Sequence, residues 1–177
     1  EAAAAYYKTT GKTSLLEVAE KNARLLLSVF GPGKLESYPF HPGIELALVK
    51  LYRATGNRDY LDLSKFFLDV RGPKGTEYSL SHKKIVDQTE ATGHAVRALY
   101  LYSGITDIVA LTGDRAYRNA IDAIWGSVVD SKLYITGGIG SYADHEAISP
   151  TFSLANVSAY NGTCASLGYS YSCKRMF

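Results

Sequence analysis

The chain has 177 residues, 46% of them hydrophobic, with 19 basic side chains against 17 acidic ones and a net charge of +2. That is about one domain of sequence with apolar material for a sizeable core, and the charge balance gives no reason to expect nucleic acid or a membrane surface as partner. No apolar run approaches the ~18 residues of a membrane span, and two cysteines do not make a disulfide framework.

The chain opens Glu1-Ala-Ala-Ala-Ala-Tyr-Tyr7, which reads as the inside of a helix that runs to about Thr9 and stops at Gly11. Ser14-Leu-Leu-Glu17 has the spacing of a capping box. Behind it Leu15, Val18, Ala19, Ala23, Leu26 and Phe30 recur at helical intervals, and Gly31-Pro-Gly33 ends that helix. A loop through Tyr38-Pro-Phe-His41 leads to Pro42, a favourable first helical position. Ile44, Leu48, Leu51 and Tyr52 carry the next helix to Thr55-Gly56, and another spans about Arg58 to Val70, ending at Gly72. Gly72 to His82 is polar and loop-like. A long helical pattern then covers Val86 to Leu111, with a break expected at Ser103-Gly104; after Thr112-Gly113 a helix spans about Arg115 to Val129. A last helix is predicted from about Ser158 to Cys173-Lys-Arg-Met-Phe177, which again reads as mid-helix. No signal peptide and no initiating Met are legible. Both ends suggest a single helical domain, residues 1–177, that is a segment of something longer.

Thr10-Gly11, Thr55-Gly56 and Thr112-Gly113 each end an apolar helix and are followed within a few residues by the next one. The intervals of 45 and 57 residues are close to those of stacked helical hairpins. The fold expected is therefore all-α, an array of helical hairpins, either a solenoid or a closed toroid.

The chemistry collects late in the chain. Tyr134-Ile-Thr-Gly-Gly-Ile-Gly-Ser141 is a short β-branched run meeting three glycines; His145-Glu146-Ala147 follows, then Ala159-Tyr-Asn-Gly-Thr-Cys-Ala-Ser166. This arrangement would hold the Glu146 carboxylate and the Cys164 thiol near each other. Each residue also has an ordinary role. Glu146 suits a solvated loop, Cys164 a small buried position on a helix, and His94 a satisfied site inside a helix. His41, before Pro42, suits hydrogen bonding to backbone, and the 14 tyrosines suit core and rim packing. Gly11-Lys12-Thr13 lacks the glycine a phosphate loop needs five positions earlier, and Gly138-Ile-Gly140 has no third glycine at the dinucleotide spacing. Cys164 and Cys173, nine apart, point to opposite sides of a helix. Asn156-Val-Ser158 and Asn161-Gly-Thr163 match the glycosylation sequon.

Longer strings are more specific. His41-Pro-Gly-Ile-Glu-Leu-Ala-Leu-Val-Lys-Leu-Tyr-Arg-Ala-Thr-Gly56, Tyr60-Leu-Asp-Leu-Ser-Lys-Phe-Phe-Leu-Asp-Val-Arg-Gly72 and Gln88-Thr-Glu-Ala-Thr-Gly-His-Ala-Val-Arg-Ala-Leu-Tyr-Leu-Tyr102 are three of them. With Tyr134-Ile-Thr-Gly-Gly-Ile-Gly140 and Thr163-Cys-Ala-Ser166 they closely resemble glycoside hydrolase family 127, the β-L-arabinofuranosidases. The resemblance covers essentially the whole chain in order. It implies part of an (α/α)6 barrel, here with one short β/Gly-rich loop, and retaining cleavage of terminal β-L-arabinofuranosyl residues from a glycan.

In such enzymes a cysteine thiolate bound to zinc is the nucleophile, metal binding keeping the thiol deprotonated, and a glutamate protonates the departing oxygen. By resemblance Glu146 is that acid/base, Cys164 a zinc ligand, and His94 and His41 contact the sugar. The sequence also departs from the pattern. The zinc motif of the family reads Glu-Thr-Cys and here is Gly162-Thr-Cys164, so one ligand is lost. Two adjacent cysteines, one of them the nucleophile, belong to a region beyond residue 177, so a missing C-terminal portion or a partner chain is implied. Cys164 alone cannot make the four-coordinate site zinc normally takes. Three readings stand: a segment of such a hydrolase, a degenerate relative that binds furanosides or a protein without catalysis, and a helical interaction module.

Overall fold

The computed structural model describes all 177 residues. Seven α-helices follow one another: α1 (Ala2–Thr10), α2 (Ser14–Val29), α3 (Ile44–Thr55), α4 (Arg58–Asp69), α5 (Ala95–Thr112), α6 (Arg115–Ser131) and α7 (Thr163–Met176), with single 3-10 turns at Ile85–Asp87 and Asp144–Glu146. No helix is long and apolar enough to cross a membrane.

The repeated Thr-Gly pair has one physical job. Gly11, Gly56 and Gly113 lie just past α1, α3 and α5 at φ 70°, 74° and 70°, the left-handed conformation that a side chain disfavours. Each glycine N–H closes onto the carbonyl four residues back, on Tyr7, Tyr52 and Val109. The preceding threonine seals the same end. Its hydroxyl donates to the carbonyl four residues back, at 2.7 Å from Thr10, 2.9 Å from Thr55 and 2.7 Å from Thr112, and accepts the N–H two residues on. The chain then reverses, and Asn57 and Asp114 cap α4 and α6 through their side-chain oxygens. Each Thr-Gly therefore makes a tight helical hairpin.

The hairpins stack in two layers. α1 packs on α3, α3 on α5 and α5 on α7, while α2 and α4 pack outside them and α6 backs α5. This is an arc of an α/α barrel. Leu99, Leu101, Ile105 and Ile108 of α5 are fully buried between the layers with Ile121, Ile124 and Val128 of α6. Leu16 and Ala23 of α2 close on Leu48, Leu51, Tyr60, Leu63 and Phe67. α7 is fixed by small residues and charge: Ser172 Oγ donates to the Leu99 carbonyl at 3.1 Å, and Arg175 Nε to Asp107 Oδ2 at 2.8 Å.

Several local expectations change. α5 runs unbroken through Ser103-Gly104; a Cβ on Gly104 would stand 3.1 Å from that of Glu45, and Ser103 pairs with Ser172 at 3.0 Å, so both are packing notches. Gln88–Gly93 is not helical, because Gln88 is buried and spends its side-chain amide on the carbonyls of Leu80 and Lys83. His94 consequently caps α5 from outside. α7 begins at Thr163, not Ser158, and Pro42 lies one residue before the cap Gly43. No capping box forms on α2: Thr13 is the cap, and its hydroxyl donates to Glu17 at 2.7 Å. Leu15 and Val18 are exposed. The β-branched run folds into a turn, Gly137 N–H to the Tyr134 carbonyl, and β-type pairing is limited to isolated bridges, two of them Tyr142–Ala147 and His94–Ala147.

Candidate active site

Three stretches of backbone are laid side by side where α5 and α7 begin. Ile148 donates to the Gly93 carbonyl at 2.8 Å, which draws the Tyr142–Ala147 loop against the start of α5. Tyr160 and Asn161 donate to the carbonyls of Ser141 and Gly140 at 2.9 and 3.0 Å, which draws the start of α7 onto the same loop. Two glycines permit this closeness. Gly93 has φ 76°, and a Cβ on it would collide with the Glu77 carbonyl. Gly140 has φ 81°, and its Cβ would come within 2.7 Å of that of Ala95.

Glu146 sits at the tip of the loop. It and His145 are consecutive non-glycine residues in the left-handed region, at φ 49° and 55°, a strain that persists where surrounding structure over-determines the conformation. Its side chain is 47% exposed, and Oε2 lies 3.2 Å from Nε2 of His94, whose side chain is 13% exposed. His94 Nδ1 accepts the Arg97 backbone N–H at 3.4 Å. The ring's proton therefore belongs on Nε2, the nitrogen that faces Glu146. On the other side the Tyr160 hydroxyl donates to Glu146 Oε1 at 2.9 Å. That hydrogen bond, more than charge, pushes the Tyr160 phenol up from its usual value, with Cys164 adding a smaller push.

The rim is aromatic and basic. Tyr78 packs edge-on to His94 and His145 at 5.6 and 5.5 Å. The Arg97 guanidinium stands over the ring of Phe40 at 4.2 Å and over that of Tyr78 at 4.5 Å. His41 hydrogen-bonds the Pro42 carbonyl at 2.6 Å and meets the Tyr100 ring at 6.0 Å. Its charge weighs against protonation of His94, so the two histidines share one rim. Cys164, on the first turn of α7, is a free and exposed thiol, which removes the buried-apolar reading of that residue. The structure thus brings Glu146, His94 and His41 together, with Cys164 near enough to Tyr160 to act on its phenol. Tyr160, Tyr78 and Arg97 are the site residues that sequence reasoning missed, having read the tyrosines as packing.

Burial, ahead of the Arg97 charge, pulls His94 below its usual value of 6.5, and burial does the same to His82. A histidine held neutral in the fold takes up its proton more readily when unfolded, so stability rises with pH. The contribution is complete above about 6.5 and is lost as the pH falls below it. The urea midpoint is expected to drop between pH 7 and pH 5, and His94→Gln to flatten part of that slope; an unchanged slope would remove His94 as a cause.

The residues of this chain do not fit a zinc centre. No three His, Cys, Asp or Glu side chains are grouped so as to hold a metal. Gly162 offers no donor, and the Tyr160 ring covers the space beside it.

Residues 1–177 match throughout the model of the beta-L-arabinofuranosidase GH127 catalytic domain. The chain belongs to this family. It is 36% identical over 201 residues to a non-reducing end beta-L-arabinofuranosidase of Bifidobacterium longum subsp. longum, an alignment covering 99% of this chain and 30% of that protein. A solved GH127 beta-arabinofuranosidase is 48% identical with a TM-score of 0.94, covering 99% of this chain and 28% of the other. A GH127 beta-L-arabinofuranosidase from Geobacillus stearothermophilus T6 is 38% identical with a TM-score of 0.96, covering 99% and 31%. The arc of helices therefore has the fold of GH127 enzymes, and the chain spans less than a third of each relative's length.

Proposed function

We propose that this chain supplies the acid/base side of a glycosidase that removes terminal β-L-arabinofuranosyl residues from a glycan. The observation that carries this reading is the Glu146 carboxylate, half exposed, with the Tyr160 hydroxyl donating to Oε1 and His94 Nε2 standing 3.2 Å from Oε2. Protonated Glu146 gives its proton to the glycosidic oxygen as the bond to the anomeric carbon breaks. The resulting carboxylate then takes a proton from the water that releases the sugar. His41, its Nδ1–H held by the Pro42 carbonyl, leaves Nε2 to accept from a sugar hydroxyl; His94 borders the sugar beside Glu146, and Tyr78 and Phe40 offer apolar faces to the ring carbons. The relatives named for this activity are more than three times as long. A nucleophile for the retaining route, a thiolate by resemblance, lies outside residues 1–177, as do the remaining donors that zinc would need.

Release of L-arabinose from a terminal β-L-arabinofuranosyl disaccharide by the longest natural form of the protein is the expected result; no release, with the disaccharide recovered intact, overturns the reading. A second reading, a degenerate relative that binds furanosides without cleaving them, is favoured by Gly162 and by the want of three grouped donors. Stoichiometric zinc in the longest natural form argues against it, and saturable furanoside binding without zinc or hydrolysis supports it.

A further inference from the structure

Gly162 is not a glycine for the sake of its backbone. Its φ of −56° and ψ of 137° are open to any residue. What a side chain there would meet is Tyr160: a Cβ would stand 3.1 Å from Cε1, 3.7 Å from Cδ1 and 3.8 Å from Cζ. Those are three successive atoms of one ring edge, so the ring lies against the bare Cα. The Tyr160 backbone is fixed by its N–H on the Ser141 carbonyl at 2.9 Å, and the next residue, Asn161, is left-handed at φ 43°. From that seat the hydroxyl reaches Glu146 Oε1 at 2.9 Å.

We infer that Tyr160 is the positioning residue for Glu146, and that Gly162 is the space its ring requires. This rests on Glu146 being the acid/base. A glutamate's terminal torsion is broad, so a half-exposed carboxylate held on one oxygen only would swing. Tyr160 on Oε1 and His94 on Oε2 stop that rotation and aim the proton-bearing edge outward. The same ring stands where an acidic side chain at 162 would begin. A metal donor at residue 162 would therefore push the Tyr160 ring a few tenths of an ångström out of its present seat.

The test is a titration of the Tyr160 phenol in the 177-residue chain, followed by NMR with tyrosine labelled at Cζ and assigned by Tyr160→Phe. The midpoint is expected above 10 in the native chain. It should move down toward 10 in Glu146→Gln, which removes the carboxylate, and in Gly162→Val, which displaces the ring without straining the backbone. A midpoint that stays put in either variant overturns the inference. In the longest natural form, Tyr160→Phe is expected to lower kcat roughly tenfold with little change in KM, the signature of a group that acts on the reacting proton. Gly162→Val should do the same, and the double variant should be no worse than either single one. An active Tyr160→Phe enzyme with unchanged kcat, or fully additive losses, also overturns it. Failure of the glycosidase reading looks different: no arabinose release, with both shifts of the phenol intact.

Discussion

Glu146→Gln is expected to lower arabinose release by roughly 10²–10⁴-fold, the usual scale for removing a general acid/base, while leaving the thermal melt unchanged. The isosteric amide keeps the local bonding. Its carbonyl can accept from His94 Nε2–H and its NH₂ can donate to the Tyr160 oxygen, so both neighbours of the native carboxylate stay satisfied. What the amide cannot do is give up a proton to the departing oxygen or take one from water. The loss should fall in kcat, since the group's work is done in the transition state. It should also depend on the leaving group. A nitrophenyl furanoside, whose phenolate departs without help, should still lose its aglycone and then stall at the step that needs a base. Equal losses in the first-turnover release of aglycone from the disaccharide and the nitrophenyl substrate would separate Glu146 from leaving-group protonation, and full activity would remove it from the mechanism.

The hairpin layout was legible because its punctuation is local. A left-handed glycine and a threonine hydroxyl reaching back one turn need no tertiary partner, so Thr10-Gly11, Thr55-Gly56 and Thr112-Gly113 carry their meaning in the sequence. Features decided by a distant neighbour were not legible. α2 has two apolar rows of the same period, one through Leu15 and Val18 and one through Leu16, Ala19 and Ala23; only the positions of α1, α3 and α4 select the second. Ser103-Gly104 looks like a helix breaker until Glu45 and Ser172 are seen to need the room. The apolar spacing through Ala91, Ala95 and Ala98 runs back past His94 as if helical, and only the contacts of buried Gln88 and Gly93 halt it there. Within the site, Glu146, His94, His41 and Cys164 were reached through longer strings shared with a family, since each residue type alone favoured a bland role. Tyr160 was hidden among 14 tyrosines, because its contact with Glu146 is made by the fold of the loop between them.

Arg71→Ala is expected to cost about 3–5 kcal/mol of stability, the scale seen when one partner of a buried ion pair is removed, and to lower the melting temperature by on the order of 10 °C for a chain of this size. Arg71 and Glu45 are both 0% exposed, their charged groups 3.4 Å apart. Burial pulls the guanidinium below its usual value, and Glu45 opposes that pull. The pair does more than neutralise itself. Arg71 donates to the carbonyls of Ser79 and Pro39 at 3.1 and 3.0 Å and stacks on Tyr38 at 4.2 Å. Glu45 accepts the Gly43 N–H at 2.9 Å. One buried cation thus ties the loop carrying Phe40 and His41 to the loop carrying Tyr78. Alanine leaves the Glu45 carboxylate without its counter-charge and two carbonyls without a donor, and both loops lose their common anchor. Replacing the two charges together, Arg71→Met with Glu45→Leu, removes the uncompensated charge and should recover a large part of the loss. It should not recover the loops, so sugar binding through His41 should weaken even where the melt is restored. Urea melts of the two single variants and the double one, read beside furanoside affinity, separate these effects. A loss below about 1 kcal/mol in Arg71→Ala would mean the pair is as weak as a surface one and the loops are held by something else.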